Sequence, residues 1–402
     1  MGEKLKICLL ALSILGANAL DLDIKDKSSR LKKQFGLFNV IQFDNQPCQI
    51  ASSNSVSGTC FSASDCQARS GLVDGNCASG FGVCCVFMLT SCGGTVTQNT
   101  TFVRNPGYPQ SDTSGIMSCT YTLNRIVNNV VQIRLDFIDV VTNAMGPLPG
   151  ACGGTADSIT VTSPFSASAN AFPPTICGTL TGQHMYFETG STGLIAGTMT
   201  IAKGTTGTTM TTPGVTMPML DRRFNIQVTY LTPGLLIRAP PGCTQYFTEF
   251  SGTIQSYNFA GGQLLETQMY DNCIRRHPGF CSYRVMQSNP TSFSLSGDAN
   301  VIKAMAKCMG NNHIIIPNDV RKTSVAYDKA TKTSTLMSVS FGDLRCGQIL
   351  SAFEDDSMPG SVQSDLSFPL TLGVRTLRAT DQSKTALQMR KGFSVDYTLV
   401  AC

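Results

Sequence analysis

Seventeen cysteines in 402 residues constrain this chain more than any other feature. One of them, Cys8, lies in a segment that reads as a secretory leader. Lys4 and Lys6 form a basic start, Ile7 to Leu15 is an apolar run too short to span a bilayer, and Ala17-Asn18-Ala19 fits the small-x-small cleavage rule. Removing residues 1–19 leaves an even number of cysteines, and in a secreted chain that reads as a disulfide framework. They fall into three groups: Cys48, Cys60, Cys66, Cys77, Cys84 and Cys85; then Cys92, Cys119, Cys152 and Cys177; then Cys243, Cys273, Cys281, Cys308, Cys346 and Cys402. Each group is even and can close on itself. The pattern therefore divides the mature chain into three separately stapled modules, in line with a length of two or three domains.

Composition narrows the fold class. Charged residues make up 14% of the chain, well below the usual quarter, and Gly, Ser and Thr are abundant. Long solvated helices are excluded, and short strands joined by turns are favoured. A formal charge of +4 gives no electrostatic case for nucleic acid. No later stretch is apolar for long enough to insert in a membrane.

Residues 20–44 begin as a charged linker, with Asp21, Asp23, Lys25, Asp26 and Lys27. They end in an apolar segment, Phe35 to Phe43, that needs a surface to pack on. Arg30-Leu31-Lys32-Lys33 has the look of a processing site or of a plain solvated tail. In the first cysteine group, residues 45–87, too little apolar material lies between Cys48 and Cys85 to hold a core, so disulfides must supply the stability. Cys84 and Cys85 point to opposite sides of an extended backbone and must reach different partners. Zinc is disfavoured, because secreted thiols oxidise and no histidine is near.

Four single cysteines followed by a pair resemble the clip domain of arthropod protease cascades. That resemblance implies Cys48–Cys84, Cys60–Cys77 and Cys66–Cys85. An unrelated six-cysteine knot is the alternative.

Residues 88–240 carry Asn105-Pro106-Gly107-Tyr108-Pro109 before Cys119, and the alternating strand Ile133-x-Leu135-x-Phe137. They continue with Asp157-Ser-Ile-Thr-Val161, Cys177-Gly178, and a closing strand Phe224-x-Ile226-x-Val228-x-Tyr230. Period-two alternation marks half-buried antiparallel strands. The order resembles a CUB domain, an extracellular β-sandwich, and implies Cys92–Cys119 and Cys152–Cys177. Residues 203–218, rich in Thr, Pro and Gly, read as a loop. Asn99-Thr100-Thr101 is the N-glycosylation sequon of the mature chain.

Residues 241–402 resemble a diverged second CUB domain. Gly252 to Phe259 matches the opening strand, Asn312-His-Ile-Ile-Ile316 stands where the first copy has Asp157 to Val161, Cys346-Gly347 repeats Cys177-Gly178, and Gly392 to Tyr397 repeats the closing strand. The resemblance implies Cys243–Cys273 and Cys308–Cys346. Cys281 and Cys402 remain and pair by elimination. The expected fold is thus all-β, two CUB-type antiparallel sandwiches behind a small disulfide-rich module. The full string resembles a group of arthropod secreted CUB-domain proteins.

Chemistry is sparse. A trypsin-like site needs serine, histidine and carboxylate. His184, His277 and His313 are the only histidines, and none lies in a protease context; each is expected to be a partly exposed strand or loop residue. Glu354-Asp355-Asp356 reads as a solvated acidic loop. Many CUB domains bind calcium through a tyrosine, a glutamate and two aspartates. Asp157 matches one aspartate, but Asn143 falls at the glutamate position, and Asn312 replaces the aspartate in the second copy. One charged ligand does not suffice for calcium, so no metal and no other cofactor is expected. Asp221-Arg222-Arg223 and Arg275-Arg276-His277 read as ordinary exposed charges, with sulfated glycan as the alternative. In both closing strands the apolar set should face the core, with Asn225, Gln227, Thr229, Ser394 and Asp396 toward solvent.

These readings describe a secreted, non-catalytic binding protein whose partners are extracellular proteins or glycans, possible service as an accessory in a protease or immune cascade included. A structural matrix, secretion or adhesive component is the alternative.

Overall fold

The computed structural model describes residues 45–51, 57–144, 150–165, 173–190, 192–205, 221–296, 302–305, 308–317, 322–328, 333–339, 342–353, 356–364, 368–378 and 390–402. The leader, the linker and apolar segment of residues 20–44, most of the Thr/Pro/Gly loop, and Glu354-Asp355 lie outside them.

The first cysteine group forms the strands Pro47–Gln49, Ser57–Phe61, Leu72–Cys77 and Gly82–Leu89, with one short helix, Ala63–Ala68. Ser62 caps that helix, its hydroxyl accepting from the Asp65 N–H at 3.1 Å. Adjacent Cys84 and Cys85 sit on the extended strand Gly82–Leu89 and bond Cys48 and Cys66 respectively, while Cys60 bonds Cys77. The same strand runs through residue 87 and continues as a parallel neighbour of Thr101–Arg104, with Phe87 opposite Thr101 and Leu89 opposite Val103.

This pairing makes one sheet of the module and half of the first sandwich. Beyond Thr101–Arg104 come Arg223–Leu231, Gln132–Val141 and His184–Glu188. The facing sheet holds Gly94–Val96, Ser118–Asn124, Ile195–Ala202 and Ser158–Thr162. Alternate residues of these strands meet between the layers, among them Tyr121, Leu123, Leu135, Phe137, Met199, Ile226 and Val228.

The second sandwich repeats the plan. One layer runs Cys243–Phe247, Met269–Ile274, Leu370–Arg375, His313–Ile315 and Leu344–Arg345; the other runs Ser251–Gln255, Gly392–Ala401, Phe280–Gln287 and Val362–Gln363. A hairpin, Lys322–Asp328 with Thr333–Val339, stands apart as a two-stranded sheet. Phe393, Val395 and Tyr397 belong to the same buried apolar core as Ile254, Tyr283, Leu372 and Val374, and Phe393 is 0% exposed. The apolar sets of both closing strands therefore face the core.

The polar sets depart from expectation. Asn225 and Gln227 are buried rather than solvated, and each has a distant polar partner. Gln227 donates its amide to the Ser57 carbonyl at 3.1 Å, and Arg104 donates to Asn225 Oδ1 at 3.1 Å. Ser394 is also buried, accepting from Gln255 Nε2 at 3.1 Å and bonded to the Ser288 hydroxyl at 3.0 Å. Thr229 and Asp396 are half-buried. Polar groups taken from water in this way must find partners, and these do.

Five further bridges join Cys92 to Cys119, Cys152 to Cys177, Cys243 to Cys273, Cys281 to Cys402 and Cys308 to Cys346. No bridge among the described residues crosses between the three groups. The first two groups are instead joined by a shared sheet.

Candidate functional site

The sandwich end that carries Asp157 holds a buried ion pair. Asp157 precedes the strand Ser158–Thr162 and is 2% exposed. Arg222 Nε donates to its Oδ2 at 2.9 Å and to its Oδ1 at 3.1 Å, and Arg222 Nη2 donates to Oδ1 at 2.9 Å. The backbone N–H groups of Asn143 and Gly204 donate to Oδ2 and Oδ1, each at 2.7 Å. Charge-assisted bonds from a guanidinium fork are the strong kind, and here a protein cation stands against the carboxylate. Arg222 is thus not the exposed charge expected from its basic neighbourhood. Its neighbour Arg223 pairs with Asp139 at 2.9 Å and with Asp221.

Asp112, a carboxylate that sequence reasoning passed over, lies beside this pair. Its backbone N–H donates to the Arg222 carbonyl, and its side chain meets Lys203 Nζ at 2.9 Å. Burial alone would raise its pKa, but hydrogen bonds from Ser114 and Lys203 outweigh burial and hold it below the ordinary value. No residue pattern announced Asp112, because its partner is ninety-one positions downstream.

The second copy answers differently. Asn312 is buried and donates Nδ2 to the Leu295 carbonyl at 2.9 Å, while its Oδ1 accepts from the Leu377 N–H at 2.8 Å.

The two sandwiches meet along a polar and aromatic seam. Tyr246 N–H donates to His184 Nε2 at 2.9 Å, and Tyr257 Oη donates to the His184 carbonyl at 2.8 Å. His184 also meets the Phe247 ring edge-on, with centroids 5.2 Å apart. It is 9% exposed, which corrects the expectation of a partly solvated histidine. Burial, with Arg134 adding repulsion, pushes its pKa down to about 3. The ring is therefore neutral, with Nε2 as acceptor. Next along the seam, Thr179 N–H donates to Asn258 Oδ1 at 2.9 Å. Gly178 faces the same amide, at φ +93°, and a Cβ built there would lie 2.0 Å from Asn258 Oδ1. This close approach explains why the residue after Cys177 is glycine.

Beside the seam lies an open groove of two adjoining parts, ≈ 510 and ≈ 350 Å³, sharing Phe165, Glu188 and Pro241. Arg238 lines one part, and Asp271 and Arg375, themselves paired at 2.9 Å, line the other. Burial raises the pKa of Glu188, against the opposing bond from Gln132 and the charge of Arg238. Charged side chains and apolar walls thus line the groove together.

The other two histidines bond backbone. His277 Nε2 meets the Thr248 carbonyl at 2.7 Å, with its ring stacked on Phe250, and His313 Nδ1 meets the Asn311 carbonyl at 2.7 Å. Arg276 is exposed and lies over the Phe368 ring. Asn99 is half-buried, its Oδ1 accepting from the Tyr230 and Thr100 N–H groups at 2.8 and 2.9 Å. Among the described residues no cluster of three His, Cys, Asp or Glu side chains is arranged to hold a metal ion.

Comparison with known proteins agrees with the fold class. Residues 240–400 match the family model of the animal CUB domain. The match falls on the second sandwich, the copy whose motifs diverge further. Among solved structures, the chain is similar to the CUB1-EGF-CUB2 domains of rat MASP-1, at 13% identity over 76% of this chain and 99% of that one, with a TM-score of 0.23. The CUB1-EGF-CUB2 domain of human MASP-1/3 gives 12% identity over 75% and 100%, also with a TM-score of 0.23. No curated protein matches the chain. An animal CUB domain and eight disulfides are typical of extracellular proteins. No helix among the described residues is long and apolar enough to cross a membrane.

Proposed function

We propose that this chain is a secreted, non-catalytic binding protein that recognises an extracellular protein or glycan through its CUB-type sandwiches, as an accessory in a protease or immune cascade. The observation that carries this reading is the match of residues 240–400 to the animal CUB domain. The engagement of all three imidazoles with backbone groups supports a non-catalytic role. The first-to-fifth, second-to-fourth and third-to-sixth order of bridges in the N-terminal module supports its kinship with clip domains, and with it an arthropod type of protein.

The test is capture by the mature, disulfide-intact chain from extracellular fluid, followed by reconstitution with the purified partner. One stoichiometric partner that rebinds in purified form is the expected result. Partition of the protein into insoluble material with no such partner would replace this reading with a structural one. Covalent labelling by a serine-hydrolase probe would end the non-catalytic reading.

A further inference from the structure

Three loops meet at one end of the first sandwich. Strand Ser118–Asn124 ends there and Gln132–Val141 begins; His184–Glu188 ends and Ile195–Ala202 begins; Arg223–Leu231 ends. The register holds these ends together, with Ile195 opposite Asn124, and Glu188 and Leu231 both opposite Gln132. Arg125 fastens two of the loops. Its guanidinium donates to the carbonyls of Val130, Thr189, Gly190, Thr192 and Gly193. Its backbone N–H donates to the Leu194 carbonyl at 2.7 Å, and the Val131 N–H donates to the Leu231 carbonyl at 3.0 Å. Hydrogen bonds therefore set the loops in place, and the apolar side chains they carry stay in water. Val127, Leu194, Ile195, Leu235, Leu236 and Ile237 are exposed, Leu194 by 73% and Leu236 by 70%.

A single exposed apolar side chain is ordinary. A concentration of them on adjoining loops marks a contact surface, and the charges at this end say of what kind. Residues 124–131, 189–195 and 232–238 contain no Asp or Glu. Arg125 is half-buried, its guanidinium bonds only neutral carbonyls, and it forms no ion pair among the described residues. Arg238 is offset by Glu188, whose carboxyl feels its charge, so Arg125 is the excess charge of this end. A folded partner would need a separate pocket for each loop. The boundary between lipid headgroups and acyl chains receives apolar side chains without a prior shape, and anionic headgroups attract a cation beside it. We propose that this end of the first sandwich docks on an anionic phospholipid surface, its apolar loop residues entering the boundary and Arg125 lying near the headgroups. The contact is separate from recognition of a protein or glycan partner, and it needs no membrane-spanning segment.

Flotation of the mature, disulfide-intact chain with vesicles tests this, using phosphatidylcholine alone or equal parts of phosphatidylcholine and phosphatidylserine. The chain should float with the mixed vesicles and bind them about fivefold more tightly than the neutral ones, the contribution of one basic side chain near an anionic surface. Leu194→Ser combined with Leu236→Ser should weaken association by about tenfold or more. Its melting temperature should stay that of wild type, since both side chains are exposed. No flotation of the wild-type chain would overturn the proposal, as would equal affinity for the two vesicles or wild-type affinity in the double variant. A chain that dimerises without lipid, and is monomeric in the double variant, would assign the patch to a second copy and overturn it too. Hydrogen exchange of the wild-type chain needs no variant: amides of residues 192–195 and 234–237 should slow on mixed vesicles, and unchanged exchange there overturns the proposal.

Discussion

His184 ties the two sandwiches together through a neutral ring, and that makes the seam sensitive to acid. Its pKa is about 3 in the folded chain, against an ordinary value of 6.5. A base whose folded value is depressed binds its proton more readily when unfolded. Its contribution is therefore complete above pH 6.5 and declines as pH falls through the window from 6.5 toward 3. Each pH unit inside that window costs about 1.4 kcal/mol, so a drop from about pH 7.5 to about pH 5 removes roughly 2 kcal/mol. Most carboxylates stay ionised over that range, so they obscure little of the effect. The assay is urea unfolding at both pH values, followed by circular dichroism or tyrosine emission because the chain has no tryptophan. His184→Gln keeps an acceptor for the Tyr246 N–H but cannot titrate. It should lose about 2 kcal/mol less than wild type over the same interval. His277 and His313 are present in both proteins and cancel. Equal acid losses in the two would refute the neutral, buried placement of His184.

Other perturbations probe the rest of the molecule. Phe393→Ala should destabilise the second sandwich by roughly 3–5 kcal/mol and reduce secretion, and an unchanged melting temperature would contradict its core position. Asp157→Asn leaves Arg222 buried without its carboxylate and should cost about 3–5 kcal/mol in chemical denaturation, whereas a neutral effect would show that the pair is dispensable. Because Arg222 already stands against Asp157, melting in millimolar calcium should equal melting in chelator, and a reproducible upward shift would reveal a cation site. Gly178→Ala forces a Cβ into left-handed backbone against Asn258, with a cost of about 1–3 kcal/mol in unfolding experiments; wild-type stability would show that the seam can relax there.

Local pattern in the sequence was enough to orient the strands. Alternation alone places Phe224, Ile226 and Val228, and likewise Phe393, Val395 and Tyr397, on inward faces, because successive side chains of a strand point to opposite sides. The even grouping of cysteines likewise announced three stapled regions. What the opposite face of each strand meets is not a local property. Asn225 and Gln227 are buried where Arg104 donates to the one and Ser57 accepts from the other, both more than a hundred residues earlier in the chain. Arg222 reads as a surface charge in its Asp-Arg-Arg context and becomes a buried partner only when folding brings Asp157, sixty-five residues away, to its guanidinium. His184 reads as a partly exposed strand or loop residue and is buried where Tyr246 and Tyr257 of the second sandwich meet it. Periodicity reports how one segment divides between inside and outside. Charge pairing, burial of polar groups and proton affinity depend on which distant segment arrives as neighbour, and that is decided by sheet order and packing.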